Sequence, residues 1–203
     1  MSVFLMIHGI NDSRAGTTQI MGDKLAERGH VVYHVDQTII KWWQAHDRKK
    51  QMKVVLECLE VAREIYEIHG KFSIISHSNG GLVTQYLVHN LEDRRIKNLY
   101  MFSPALNKDW TWSQRVHSFD KAKVVYNPND TAILLAKMLP FKHPWGDMGR
   151  YGPVTNDIRV EGKRDDLSGT VWGHNAPFVP PATEHWCDII EHWEKDSEPH
   201  AVN

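Results

Sequence analysis

The hexapeptide SHSNGG, residues 76–81, places a serine among small residues where the sequence pattern changes. Before it, residues 72–75 form the short apolar run that is typical of a buried strand. After it the spacing is helical, and one face carries Leu82, Val83, Tyr86 and Leu87. A serine on such a strand-to-helix turn has its hydroxyl lifted clear of the sheet, where it can attack a substrate. We therefore predict that Ser78 is a nucleophile.

The residues around Ser78 fit a variant of the motif G-x-S-x-G. The turn brings together the positions two before and two after the serine, so both must be small, and they are Ser76 and Gly80. Serine in place of the first glycine is the one departure, and we expect the turn to survive it. The competing interpretation is a chance match at an ordinary helix start.

A serine hydroxyl needs an imidazole to accept its proton and a carboxylate to hold that imidazole. Asp130 lies on a short turn after the apolar residues 124–126, just before a helical run. Asp147 and Asp157 are competing candidates, but Asp130 alone follows a predicted strand by a short turn. We predict that Asp130 is the orienting acid.

Among 13 histidines, His174 lies in a loop rich in Gly, Asn and Pro just before the last predicted helix. A loop in that place can bring an imidazole over the edge of the sheet. The main rival, His185, belongs to a helical run beside Trp186, and His143 precedes the last strand-like segment. We predict that His174 is the base. His8 and His77, which flank the first loop and the nucleophile, are expected to be scaffold hydrogen-bonders or pocket walls.

Strand-like and helix-like segments alternate along the chain. The predicted strands are residues 3–7, 31–35, 72–76, 96–102, 124–126 and 156–162, and the predicted helices are 17–28, 51–69, one from Gly80 and one around 186–193. In the helix over 51–69, the predicted buried face consists of Met52, Val55, Leu59, Ala62 and Tyr66. This alternation predicts an α/β fold with a mostly parallel open sheet and helices on both faces.

Length and charge limit the possible classes of protein. A chain of 203 residues without a linker-like segment is expected to form one domain, residues 1–203, and a net charge of -1 gives no reason to expect nucleic acid as a partner. The basic run Arg48–Lys50 is expected to be a solvated helix start.

No apolar segment is long enough to span a membrane, and the N-terminus has the pattern of a strand and not of a signal peptide. Two distant cysteines, Cys58 and Cys187, favour a reduced cytoplasmic location, with one disulfide in an exported protein as the alternative.

Neither a nucleotide nor a metal is expected as a cofactor. The first loop, GINDSRAG, lacks the spacing G-x-G-x-x-G, and G-x-x-x-x-G-K-[ST] occurs nowhere. Asp36 would suit a ribose only after that fingerprint, so we expect it to cap a helix or lie in a loop. The metal motifs H-E-x-x-H and C-x-x-C are also missing from the sequence.

Taken together, the Ser, Asp and His in this order resemble the α/β-hydrolase superfamily over nearly the whole chain. The resemblance implies that the loop HGIN and the turn supply an oxyanion hole, through the backbone N–H groups of Ile10 and Asn79. It also implies a trimmed fold, because the chain begins at what would be the third strand. Only residues 103–121 lie where a cap domain could be inserted, so we expect no cap and an open site.

The resemblance implies a small esterase-like or lipase-like serine hydrolase that acts on a small-molecule acyl substrate. The same triad would also serve a thioesterase, an amidase or an acyltransferase, and a silent hydrolase fold could act as a binding module. The oligomeric state is left open. The residues predicted to line the substrate pocket are Asn11, His77, Trp110, Trp112, Trp145 and Tyr151.

Overall fold

Six parallel strands form one sheet in the computed structural model, which describes residues 1–10, 16–35, 39–91, 95–112, 118–137, 145–166 and 173–197. The strands are β1 (Val3–Ile7), β2 (Val31–His34), β3 (Phe72–His77), β4 (Ile96–Phe102), β5 (Phe119–Tyr126) and β6 (Val160–Arg164). Their order across the sheet is β2-β1-β3-β4-β5-β6, and every neighbouring pair is parallel. The carboxyl ends of the strands therefore meet at one edge, where open parallel sheets bind their ligands.

Helices connect these strands. They are α1 (Thr17–Glu27), α2 (Arg48–His69), α3 (Gly80–Asn90), α4 (Thr131–Lys137), α5 (Met148–Tyr151) and α6 (Ala182–Asp196). Short 3₁₀ turns occupy Trp42–Gln44 and Ala176–Phe178. In this part of the chain the predicted strands and longer helices occur in the predicted order, with strand boundaries that differ by up to five residues, whereas α5 and the two 3₁₀ turns were not predicted.

The core has two parts because successive side chains of a strand point to opposite faces. In β1, Leu5 and Ile7 belong to the cluster under α2 and α3. Phe4 and Met6 belong to the second cluster, which includes side chains of α1 and α6. Helices thus cover both faces of the sheet, the central strands β1 and β3 are almost entirely buried, and the predicted class, a parallel α/β sheet between helices, is confirmed.

The long helix α2 begins three residues earlier than predicted. The carboxylate of Asp47 caps it by accepting from the backbone N–H of Lys49 at 3.0 Å and of Lys50 at 3.2 Å. The prediction that Met52 lies on the buried face is wrong, since this side chain is 44% exposed. The buried positions are Gln51, Val54, Val55, Cys58, Leu59, Ala62 and Ile65.

A buried carboxylate attaches the last helix to the sheet. Glu194 of α6 accepts hydrogen bonds from Ser73 Oγ at 2.5 Å, Asn98 Nδ2 at 2.8 Å and Tyr100 Oη at 2.8 Å. Lys97 Nζ lies 3.1 Å from its other oxygen. Burial alone would raise the pKa of Glu194, but these partners together hold it below the ordinary value.

The two cysteines are free thiols in different parts of the core. Cys58 lies in the cluster under α2, and Cys187 lies in the cluster that includes α6 side chains. Burial raises the pKa of both thiols, that of Cys187 to about 12, so neither has the character of a reactive thiolate. Within the described ranges, no helix combines the length and the apolar composition needed to cross a bilayer.

Candidate active site

Ser78 follows the last residue of β3 and has φ 54, a left-handed conformation that an L-residue adopts at a cost of about 1–3 kcal/mol. Backbone hydrogen bonds on both sides hold it there. Its N–H donates to the carbonyl of Phe102 at 3.0 Å, and its own carbonyl accepts from Gly81 at 3.0 Å and Ala105 at 2.9 Å. The sharp strand-to-helix turn predicted from SHSNGG is present.

The turn that carries Ser78 lies very close to the end of β1, which explains why its residues are small. A Cβ on Gly80 would lie 2.5 Å from the carbonyl oxygen of Ile7, and a Cβ on Gly9 would lie 2.9 Å from the Cβ of Ser78. The same added Gly9 atom would be 3.4 Å from the Ser78 Oγ. Gly9 thus lets the loop after β1 pass directly beside the serine hydroxyl. Ser76 is fully buried and fits where the motif has its first glycine.

His174 and Asp130 meet over this edge of the sheet. The Nδ1 of His174 lies 2.6 Å from Oδ2 of Asp130, whose side chain is fully buried. An ionised carboxylate only accepts hydrogen bonds, so Nδ1 carries the proton and Nε2 keeps a free lone pair. The second oxygen, Oδ1, accepts from the N–H of Ile133 at 3.1 Å and thereby caps α4.

The other candidates lie elsewhere. Asp157 is paired with Arg159 at 2.6 Å, and this hydrogen bond lowers the pKa of the carboxyl. Asp147 precedes α5. His185 is exposed on α6 with its ring edge against Trp186, and His143 lies outside the described residues.

His77, which precedes Ser78, is enclosed between the turn and the His174 loop. Its Nε2 lies 3.0 Å from the backbone oxygen of His174, and its Nδ1 lies 3.1 Å from Thr17 Oγ1. The two imidazole rings are 4.7 Å apart, and Phe178 packs edge-on at 4.8 Å. Burial, then the neighbouring His174, lowers the pKa of His77 well below its ordinary value, so this ring is neutral.

The two predicted oxyanion donors belong to peptide groups that are held through their carbonyls. The Ile10 N–H shares a peptide with the Gly9 carbonyl, which accepts from His8 Nδ1 at 2.8 Å. The Asn79 N–H shares a peptide with the Ser78 carbonyl, which accepts the two bonds given above. In the described part of the chain, neither N–H donates a hydrogen bond of its own. Since a trans peptide points its N–H away from its carbonyl, anchoring the carbonyl aims the donor.

The sequence profile of the serine hydrolase (FSH1) family matches residues 4–119, more than half of the chain. The chain belongs to this family of serine hydrolases. The match contains the HGIN loop and Ser78, whereas Asp130 and His174 lie beyond its end. No curated protein has a sequence that matches this hydrolase significantly.

Solved structures share the fold of this hydrolase at low sequence identity. TT1662 from Thermus thermophilus is 14% identical with a TM-score of 0.63, over 95% of this chain and 88% of that one. The esterase Pf2001 from Pyrococcus furiosus is 12% identical with a TM-score of 0.60, over 96% and 80%. An extracellular α/β-hydrolase from a Paenibacillus species is 13% identical with a TM-score of 0.55, over 94% and 98%. The fold is therefore that of the α/β-hydrolases.

The structure separates the aromatic residues predicted for the pocket of the hydrolase. Trp145 reaches the turn, since its Nε1 donates to Asn79 Oδ1 at 3.0 Å. Trp112 is buried in the core, where it packs against Trp110 at 4.2 Å. Tyr151 is 54% exposed and lies beside the cationic groups of Lys108 and Arg150. Asn11 lies outside the described residues.

Sequence reasoning missed Gln51 and Thr17. Gln51, on the buried face of α2, pairs its amide with that of Asn79, with N···O distances of 3.3 and 3.2 Å. A polar residue within an otherwise apolar helical face is the signal that could have pointed to it. Thr17 begins α1 and gave no comparable signal. Within the described ranges, no group of three His, Cys, Asp or Glu side chains is arranged to hold a metal ion.

Proposed function

We propose that this serine hydrolase cleaves carboxylic esters through an acyl-enzyme formed on Ser78, with His174 as base and Asp130 as orienting acid. The contact of 2.6 Å between His174 Nδ1 and the buried carboxylate of Asp130 carries the proposal. It leaves Nε2 as the proton acceptor, which a serine hydroxyl near neutral pH requires.

In the first half of the reaction, Ser78 Oγ attacks the carbonyl carbon of the ester while His174 Nε2 takes the hydroxyl proton. The carbonyl oxygen becomes an oxyanion, which accepts hydrogen bonds from the N–H groups of Ile10 and Asn79. The C–O bond to the alcohol then breaks, and His174 returns the proton to the departing alkoxide. The products are an acyl-Ser78 ester and a free alcohol.

In the second half, water replaces the alcohol. His174 Nε2 takes a proton from water as its oxygen attacks the acyl carbon, and the same two N–H groups stabilise the second oxyanion. When that intermediate collapses, the proton returns to Ser78 Oγ and a carboxylic acid leaves. Asp130 keeps its charge throughout and stabilises the imidazolium form of His174 in both halves.

Covalent labelling tests the proposal. A fluorophosphonate probe should label the native protein, and Ser78→Ala should abolish labelling while the circular dichroism spectrum stays unchanged. Ser103→Ala is the matched control, because Ser103 also has a positive φ, 44, directly after a strand, and this variant should still be labelled. Labelling that persists in Ser78→Ala would place the nucleophile elsewhere, and a wild-type protein that resists the probe would favour a binding module.

A substrate panel tests the ester class separately. We expect turnover of p-nitrophenyl esters, measured as release of nitrophenolate, to exceed that of acyl thioesters and anilides with the same acyl chains. A preference for thioesters would contradict the proposed ester class, with a thiol in place of an alcohol as the leaving group, but would remain consistent with an acyl-enzyme on Ser78.

A further inference from the structure

The side chain of His77 connects the two parts of the proposed active site. Its backbone is joined to Ser78 by a peptide bond, and its Nε2 lies 3.0 Å from the backbone oxygen of His174. The side chain is 3% exposed. A single residue therefore links the nucleophile turn to the loop that carries the base.

The hydrogen-bond pattern fixes the protonation of this ring. A carbonyl oxygen only accepts, so Nε2 must carry the proton that it shares with His174. Nδ1 is then the acceptor for the hydroxyl of Thr17 at 3.1 Å. The neutral Nε2–H form satisfies both nitrogens in the interior, as a buried imidazole requires.

The loop around His174 is held by contacts on both sides of the histidine. A Cβ on Gly173 would lie 2.5 Å from Asn127 Nδ2, so the loop packs closely on the residue after β5. The carbonyl of Asn175 accepts from the N–H of Phe178 at 3.0 Å. Between these two contacts, His77 holds the main chain of His174 itself, and Asp130 holds its ring.

We propose that His77 is a positioning residue that sets the location of His174 relative to Ser78. The inference rests on the proposed function, because it concerns transfer of a proton between these two residues. The contact with Asp130 fixes the side-chain rotation of His174. The backbone of His174 must also lie at the right distance from the turn that carries Ser78. A displacement of about 1 Å in such a site can lower the rate about a hundredfold.

The positioning role also requires that the imidazole of His77 stays neutral. Among the described residues, the titratable groups that face it are His8, directly after β1, and His174, beyond which lies the carboxylate of Asp130. A charge on His77, 4.7 Å from the ring of His174, would oppose the imidazolium that forms during catalysis. Burial keeps the pKa of His77 low, so His174 remains the group that takes up the proton.

Two substitutions separate positioning from general stability. His77→Leu removes both hydrogen bonds, and we expect kcat to fall about a hundredfold while KM stays near the wild-type value. His77→Gln keeps an N–H near the Nε2 position, and we expect it to recover most of kcat. His30→Leu is the matched control, since His30 also makes two hydrogen bonds, to Ser2 and Glu191, just before β2 at the opposite end of the sheet.

The outcomes are distinct from those that test the function. If Ser78 is labelled by the fluorophosphonate but His77→Leu keeps wild-type kcat, or His77→Gln is as slow as His77→Leu, the positioning role is wrong and the hydrolase stands. If His30→Leu lowers kcat as much as His77→Leu does, the effect is one of stability and the role is again wrong.

A second measurement needs no substitution. In the wild-type protein, ¹⁵N chemical shifts should show His77 with Nε2 protonated and Nδ1 unprotonated, and this form should persist through the ordinary histidine pKa of 6.5. An Nδ1–H form of His77, or its titration near that value, would contradict the hydrogen bond to His174 and overturn the inference.

Discussion

At the scale of single residues, Asp130 has two tasks that need different oxygens. Oδ2 meets the ring of His174, and Oδ1 caps α4 through the N–H of Ile133. The helix cap fixes the carboxylate in one rotamer, so the imidazole meets a partner that is already in place. Complete burial of the Asp130 side chain shields this carboxylate from competing water, which strengthens its attraction for an imidazolium at His174.

Asp130→Asn should lower kcat/KM for a p-nitrophenyl ester by about ten-thousandfold, the size of effect known for this change in serine proteases. The amide can still cap α4 through Oδ1. Its Nδ2 then faces His174 Nδ1 and favours the tautomer with the proton on Nε2, which cannot accept from Ser78.

Steady-state kinetics with melting temperatures checks this prediction, and Asp157→Asn is its control. That substitution weakens the pair with Arg159 away from His174 and should leave kcat/KM near the wild-type value. Near-normal turnover of Asp130→Asn would mean that another group orients His174.

At the scale of elements, the sequence was informative where side chains are buried on both sides of a strand. β1, β3 and β4 were predicted within one residue because their runs are continuously apolar. β5 begins at Phe119, five residues before the predicted start, because the charged residues Asp120, Lys121 and Lys123 interrupt its buried positions. β6 lies at the edge of the sheet with mostly exposed side chains, so hydrophobicity could not define its bounds.

The buried face of α2 shows a second limit of periodicity. The pattern placed Met52 inside and gave no role to Gln51, whereas the structure exposes Met52 and buries Gln51. The amide of Gln51 can be buried because the carbonyl of Ala45 and the amide of Asn79 satisfy it. Those partners lie on other segments, so a pattern within one helix could not reveal them.

Gln51→Leu should therefore lower the free energy of unfolding by about 1–3 kcal/mol, the penalty for a buried polar group left without its partner. The substitution removes Gln51 Oε1, the acceptor for Asn79 Nδ2 at the start of α3. Urea denaturation measures the loss. The neighbouring Met52→Leu is the control and should stay within about 0.5 kcal/mol of the wild type, because that side chain is exposed. Equal losses in the two variants would contradict the role given to the amide pair.

In the molecule as a whole, the candidate active site lies at one end of the sheet and a stabilising ionic network lies at the other. The carboxyl ends of β3, β4 and β5 are followed by the strained turn of Ser78, by Ser103 and by the turn of Asp130. Near the amino ends of β3 and β4, the carboxylate of Glu194 accepts hydrogen bonds from Ser73, Asn98 and Lys97. These bonds hold α6 against the sheet. Strain is thus located at the candidate site, while a satisfied ionic network secures the far end.

This division predicts how stability depends on pH. The folded protein holds the pKa of Glu194 below the ordinary value of 4.5, so its carboxylate stabilises the fold fully above that pH. As the pH falls below 4.5 the unfolded chain takes up the proton first, and this stabilisation is lost. Glu194→Gln removes the ionic partner of Lys97, whose Nζ keeps the backbone oxygen of Glu194 at 3.2 Å, and should be less stable near neutral pH by about 3 kcal/mol.

Melting temperatures of the wild type and of Glu194→Gln, compared from neutral pH to below 4.5, test this dependence. We expect the gap between the two proteins to be constant near neutrality and to narrow as the pH falls below that value, because only the wild type has a carboxylate at this position to protonate. Glu60→Gln, an exposed position on α2, is the control and should follow the wild type at every pH. A gap that stayed constant down to the lowest pH would mean that packing, and not the charge of Glu194, holds α6 on the sheet.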